Sequence, residues 1–208
     1  MCGLFGAYGD FRKRPAALSL LCMNNAERGQ DSTGLAVDGK IYKRTTTPYI
    51  FAKEAKFRDM VSSGKIVIGH TRYATHGGVT NENAHPFCLY DSIVGAHNGV
   101  VSNLEELKTV VSDDYAVDSQ YLLSLRYIMG DTKFARGSLN LSFHFINKDA
   151  DGKLYLQRHS NPLYLAKIAG YGGKDAYLYS SIEGSLKMAI NMLNLEGEVS
   201  EVENFSEV

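Results

Sequence analysis

MCGLFGAYGD, residues 1–10, is the stretch on which the fold and the chemistry of this chain turn. A cysteine follows the initiator methionine directly, and a glycine and an apolar run that reads as a strand over 3–8 come next. If Met1 is removed, Cys2 becomes the first residue and carries a thiol and a free α-amine on one framework. An N-terminal amine can act as the base that a nucleophile needs. Its ordinary pKa of about 8 leaves a useful fraction unprotonated near neutrality, whereas a free thiol is ionised only to a few per cent. Early cysteines also occur by chance, so the meaning of Cys2 depends on the rest of the chain.

At 208 residues, 44% hydrophobic and 22% charged with a net charge of −1, the chain can bury a sizeable core and has no electrostatic reason to bind nucleic acid or an anionic membrane. No apolar run approaches the roughly 20 residues of a membrane span, and the first residues lack the basic-then-apolar order of a signal peptide. The cysteines Cys2, Cys22 and Cys88 are an odd number without close pairing, which fits a reducing compartment, and a cytoplasmic location is expected. One domain over 1–208 is expected, with its core over about 2–190.

Strand-like stretches come in two blocks. GLFGAY (3–8), TGLAVD (33–38), IYKRT (41–45), KIVIG (65–69) and SIVGAHNG (92–99) form the first, the last of them leading into a turn. A helix beginning at Pro15 and a short helical piece at FRDMVSS interrupt it. Two helices follow, one from about Ser102-Asn103 and one from Asp118 to a Gly130 cap. The second block holds LNLSFHFIN (139–147), a DADG turn, KLYLQRH, PLYLAKI and DAYLYSS, and the helix IEGSLKMAINMLN comes after it. The tail over about 196–208, with five glutamates and no basic residue, is expected to be a solvated end, with an edge strand as the alternative. Blocks of strands and helices in this order imply an α+β fold with stacked sheets rather than an alternating parallel one.

Polar residues concentrate in GHTRYATHGGVTNENAHPFCLYDSIVGAHNG (69–99), at the end of a predicted strand, where loops that carry chemistry emerge. His70, His76, His85 and His97 match no common zinc spacing, so no metal site is expected, and His70 and His85 read as satisfied structural histidines. Arg72 suits bidentate binding of a carboxylate, or a structural salt bridge. HNG (97–99) is a turn signal, and equally an Asn amide beside a Gly N–H, two donors of the kind that stabilise a developing oxyanion. Asp118 stands at a helix start, where capping is the alternative use of its carboxylate.

CGLFG (2–6), RGQDSTGLAV (28–37), GHTRYATHG (69–77), NAHPF (83–87), HNGVVSN (97–103) and VDSQ (117–120), in this order, resemble the motifs of class II glutamine amidotransferase domains, a branch of the N-terminal nucleophile (Ntn) hydrolases. The set is similar to the glutaminase domains of glucosamine-6-phosphate synthase and phosphoribosyl-pyrophosphate amidotransferase. Weaker similarity runs through RHSNPLYLA (158–166) and LYSSIEGSL (178–186). The resemblance implies a four-layer αββα sandwich of two mainly antiparallel sheets. It implies Cys2 as nucleophile with its own α-amine as base, and Asn98 and Gly99 as the oxyanion hole. Arg72 would hold the α-carboxylate of L-glutamine and Asp118 its α-ammonium, Thr75 and His76 would complete the pocket, and Arg28 and Asp31 would support the nucleophile from behind. The implied reaction is amide hydrolysis through a γ-glutamyl thioester, giving glutamate and ammonia, with no cofactor and no metal.

Tyr73 stands where the sugar-phosphate enzymes carry tryptophan and the phosphoribosyl relatives carry tyrosine, and VDSQ replaces the more usual SDTE or SDSE. The familiar relatives join this domain to a synthase that consumes the ammonia. With the chain ending near 208, the expectation is a separate synthase subunit, or a free-standing glutaminase. Two further readings stay open: an N-terminal-cysteine amide or γ-glutamyl hydrolase acting on another substrate, and a non-catalytic module that binds glutamine.

Overall fold

The computed structural model describes residues 1–146, 152–169 and 176–207. Two antiparallel sheets face each other between two layers of helix. The larger sheet contains β1 (Gly3–Tyr8), β2 (Ser32–Val37), β3 (Lys40–Arg44), β4 (Ile66–Arg72), β9 (Tyr164–Ile168), β10 (Ala176–Ser180) and β11 (Gly197–Glu201). Its strand order is β11-β9-β10-β1-β4-β2-β3, which puts the first strand of the chain in the middle. The smaller sheet has the order β12-β8-β7-β6-β5, from β5 (Phe87–Leu89), β6 (Ile93–Val101), β7 (Gly137–Phe145), β8 (Tyr155–Gln157) and β12 (Phe205–Glu207).

Side chains of a strand alternate between its two faces, and here both faces are buried, so the central strands carry consecutive apolar residues, as in LFGA of β1, LAV of β2 and IVI of β4, rather than an alternating pattern. Phe5 and Ala7 of β1, Leu35 and Val37 of β2, and Val67 of β4 pack outward against α1 (Pro15–Asn24), α2 (Pro48–Phe51), α3 (Ala55–Val61) and α6 (Glu183–Met192). Leu4, Ala36, Ile66 and Ile68 of the same strands point the other way, onto Val94 and Ala96 of β6 and Leu156 of β8, and form the dry layer between the sheets. Leu139, Leu141 and Phe143 of β7 face outward onto α4 (Leu104–Val110) and α5 (Asp118–Met129). Burial of an apolar side chain contributes about 1.5–3 kcal/mol, so these three layers hold the sandwich together. The architecture is the expected αββα sandwich. No helix among the described residues is long and apolar enough to cross a membrane.

Three expectations change. The tail is not a solvated end: β11 pairs with β9 on the edge of one sheet and β12 with β8 on the edge of the other. Its glutamates Glu198 and Glu201 stay in water on the edge, while Val202 is buried in the layer between the sheets and its N–H bonds the Leu163 carbonyl at 2.9 Å. Acidic composition is compatible with an edge strand, because only one row of its side chains needs to be apolar. The HNG segment is not a turn either. It lies inside β6, with Asn98 opposite Asn140 and Gly99 opposite Leu139 of β7. The long partner strand supplies a ladder through this segment, and a local turn preference loses to it. Finally, the short elements α2 and β5 were not expected. The DADG turn falls mostly outside the described residues.

Val202→Ala should lower the unfolding free energy by about 2 kcal/mol, since it opens a void between the sheets, whereas Glu198→Ala should leave it nearly unchanged. Urea midpoints of the two variants provide the comparison. Equal midpoints would mean that the last strands add nothing to the core.

Candidate active site

Cys2 stands one residue ahead of β1. The register of β1 on β4 sets Gly3 opposite Thr71, so the thiol lies against the chain where it leaves β4 at Arg72-Tyr73. The Cys2 Sγ lies 3.4 Å from both the Tyr73 N–H nitrogen, which donates to it, and the Tyr73 carbonyl oxygen, which accepts from it. The turn after α1 supports this corner from behind. Arg28 Nε donates to the Cys2 carbonyl at 2.8 Å. Asp31 donates its N–H to the Arg72 carbonyl at 3.0 Å and accepts the Ala74 N–H on its carboxylate at 2.8 Å. Between them, a Cβ on Gly29 would sit 2.6 Å from the Arg72 carbonyl oxygen, so only glycine lets the turn lie so close. Arg28 and Asp31 therefore touch the backbone around the thiol and not the sulfur itself.

The opposite wall comes from the other sheet. Asn98 and Gly99 of β6 line a cavity of about 280 Å³ together with Cys2, Tyr73, Thr75 and Asn161. Asn98 is 1% exposed, yet neither its Nδ2 nor its Oδ1 has a hydrogen-bond partner among the described residues. A buried amide without a partner costs about 1–3 kcal/mol, which marks this one as a group that waits for a ligand atom. Gly99, at φ 158°, has its Cα against the Ser138 carbonyl; a Cβ there would lie 1.7 Å from that oxygen. Any other residue at 99 would push β7 off β6.

A second, much smaller space of about 10 Å³, room for about one water molecule, adjoins the first and is bounded by Cys2, Arg72, His76, His85 and Asp118. Arg72 and Asp118 thus meet across it, both buried. The Arg72 guanidinium donates to the carbonyls of His76, Gly77 and Gly78, with the Gly78 bond at 2.9 Å, so it organises the loop after β4 and still has further N–H groups to offer. Asp118 does not cap α5 with its side chain. Its Oδ2 accepts the Val101 N–H at 2.9 Å, tying the helix start to β6. Thr75 and His76 are exposed on the loop.

The charges follow from burial. The Cys2 thiol is pushed above its ordinary pKa chiefly by burial, with the Tyr73 backbone and Arg72 pulling it partly back, so this thiol needs a base to become a nucleophile. His70 and His85 stack with ring centroids 4.1 Å apart in the interior. His70 Nε2 bonds the His97 carbonyl at 3.0 Å, but neither ring nitrogen of His85 has a hydrogen-bond partner among the described residues, so His85 is not the satisfied histidine expected. Burial lowers the His70 pKa to about 3 and the His85 pKa well below its ordinary value, so both are neutral at pH 7. Among the described residues no group of three His, Cys, Asp or Glu side chains stands close enough to share a metal ion. Sequence reading passed over Ser119, which bonds His97 Nδ1 at 2.9 Å, and Asn161, whose only signal was the weak similarity of RHSNPLYLA.

No family model matches the chain. Over 94% of its length it is 30% identical to glutamine–fructose-6-phosphate aminotransferase of Gluconobacter oxydans, and over 99% of its length 29% identical to that of Chlamydia caviae. A 116-residue match to the enzyme of Methanococcus maripaludis reaches 40% identity. Among solved structures, the allosteric regulatory enzyme of purine biosynthesis superposes with a TM-score of 0.74 at 20% identity. Glutamine phosphoribosylpyrophosphate amidotransferase from B. subtilis follows at 0.69 and 18%, and both cover 100% of this chain. The chain belongs to the class II glutamine amidotransferase domains. Its fold is that of the Ntn hydrolases. It spans 34% and 37% of the length of the Gluconobacter and Chlamydia relatives, and just under half of each solved chain.

The neutral histidines make stability depend on pH. The unfolded chain protonates His70 below its ordinary value of 6.5 and the folded chain does not until about 3, so the unfolded state binds more protons in between. Stability is therefore full above about pH 6.5 and is lost as the pH falls from there towards about 3. Urea midpoints across that window should decline, and His70→Gln, which keeps a donor for the His97 carbonyl, should flatten the slope. A variant with the parental slope would exclude His70 as its source.

Proposed function

We propose that the chain hydrolyses the side-chain amide of L-glutamine at Cys2. The observation that carries this reading is the buried, unpartnered Asn98 amide on the wall of the cavity that contains the Cys2 thiol. Once Met1 is removed, the freed α-amine of Cys2 takes the thiol proton as Sγ attacks the amide carbon. The carbonyl oxygen becomes an oxyanion and is held by Asn98 Nδ2–H and the Gly99 N–H. The amine then returns the proton to the departing nitrogen, the C–N bond breaks and ammonia leaves. The γ-glutamyl thioester that remains is hydrolysed by water, and glutamate is released with the thiol restored. Each step balances without a cofactor.

Substrate choice is assigned to the smaller space. Arg72 takes the α-carboxylate with N–H groups beyond those given to the loop carbonyls, and Asp118 takes the α-ammonium. The present volume admits no amino-acid head, so binding draws the loop carrying Thr75 and His76 outward before it closes again. A clamp of both signs rejects molecules that lack either charge. The ammonia passes to an acceptor on a partner synthase, in keeping with aminotransferases as relatives, and the three free cysteines support a cytoplasmic setting.

Incubation with 6-diazo-5-oxo-norleucine, followed by intact mass, tests the nucleophile and the pocket together. The expected product is the chain lacking Met1 with a single adduct on Cys2, and Cys2→Ala should take up none. Asp118→Asn should raise KM for glutamine by about 10-fold or more, the scale of a lost charge-assisted contact, with a smaller effect on kcat. A processed Cys2 that ignores the reagent while iodoacetamide labels it would move the case to a hydrolase of other amides.

A further inference from the structure

The glutamine-hydrolysis mechanism assigns no role to the loop between β8 and β9, through which RHSNPLYLA runs, yet Asn161 in it lines the cavity of Cys2. The Asn161 Nδ2 donates to the Asn98 carbonyl at 3.1 Å and to Ser138 Oγ at 2.7 Å. The loop is itself seated on Asn140, which is fully buried and stands opposite Asn98 in the β6–β7 pairing. Asn140 Oδ1 accepts the His159 N–H at 3.0 Å and the Asn161 N–H at 3.3 Å, while its Nδ2 donates to the Asn161 carbonyl at 2.7 Å. Two asparagines thus form one unit, the first fixing a loop and the second reaching from that loop to the peptide between Asn98 and Gly99.

That peptide is planar and trans, so its C=O and N–H point in opposite directions in one rigid plane. Whatever anchors the Asn98 carbonyl also sets the direction of the Gly99 N–H. The β6–β7 ladder runs through this peptide, and the Asn161 bond adds a side-chain anchor to it, at a residue pair where Gly99 has no side chain of its own to fix the plane. A hydrogen bond to the carbonyl also polarises the N–H on the far side of the same amide. We propose that Asn161, seated by Asn140, is a positioning residue that aims the Gly99 N–H at the oxyanion. This rests on the glutamine-hydrolysis reading above. Asn161 touches the peptide and not the reacting atoms, so its removal should act on turnover and spare both the substrate head and the thiol.

Asn161→Asp keeps the shape and replaces the donor with an acceptor. Steady-state glutaminase kinetics of this variant should show kcat lower by about 10- to 100-fold, the scale of a misaimed donor, with KM within about twofold. Alkylation of Cys2 by iodoacetamide, read by peptide mass to separate it from Cys22 and Cys88, should proceed at the parental rate because it develops no oxyanion. A KM effect with kcat unchanged would overturn the proposal, as would parental values of both. If Asn161→Asp does not fold, Ser138→Ala carries the test. It removes the second acceptor of the Asn161 amide and should lower kcat in the same way, and unchanged kcat would overturn the proposal. A parental protein inert to both glutamine and 6-diazo-5-oxo-norleucine would remove the hydrolysis reading and this proposal with it. An active parent with an indifferent variant removes the proposal alone.

Discussion

The antiparallel pairing of β1 with β4 is the constraint on which this molecule depends. It carries Gly3 to Thr71, Phe5 to Gly69 and Tyr8 to Ile66, and so fixes the first residues of the chain in the middle of the larger sheet. A chain terminus is ordinarily loose unless a sheet ties it down. Here β10 holds β1 from the other side, with Phe5 opposite Ser180, and Cys2 inherits that rigidity one residue ahead of the strand. A slip of one residue would turn Leu4 towards the helices and Phe5 into the space between the sheets. The burial that secures the register thus also secures the position of the thiol.

A second consequence of the layered design is where polar groups can collect. Between the sheets the contacts are apolar over Leu4, Ala36, Ile68, Val94 and Leu156. Beside this layer, at the ends of β4 and β6, stand Arg72, His70, His97, Asn98 and Asp118, all buried. Burying such groups is costly unless each is bonded, and most are: Arg72 by three loop carbonyls, Asp118 by the Val101 N–H, His97 by Ser119 and Ser138. Asn98 lacks a partner for both polar atoms of its amide, as His85 does for both ring nitrogens and His70 for Nδ1, and of these three residues Asn98 lines the larger cavity that contains Cys2. What sets the Asn98 amide apart is that an unpartnered donor and acceptor stand on the wall of an open cavity beside a thiol.

Several features were legible from the residues alone, and their legibility has a physical reason. β1, β2 and β4 each hold a short apolar run, and α5 begins at Asp118 and is capped by Gly130 in the left-handed conformation, φ 77°. These are local preferences that the tertiary structure reinforces. The tail and HNG misled for the opposite reason. Glutamates at 198 and 201 describe an edge exposed to water, and nothing in their own segment reveals that β9 lies alongside. Asn-Gly favours a turn only where no partner strand is present, and β7 is supplied from about forty positions further along the chain.

By itself, the sequence determined the class of the fold, the nucleophile candidate and the residue types of the site, because ordered motifs and side-chain chemistry travel with the linear chain. Cys2 could be proposed beside an amine on chemistry, whereas the pairing of Arg72 with Asp118 came from the resemblance of the ordered motifs. Only the tertiary structure decided what faces what. It brought Asn98 from the smaller sheet against Cys2 of the larger one and placed Arg72 under its own loop. It also carried Asn161 to the peptide of Asn98, 63 positions away in the chain. Such contacts depend on sheet register and on the packing of one layer against another, and no local pattern of residues encodes either.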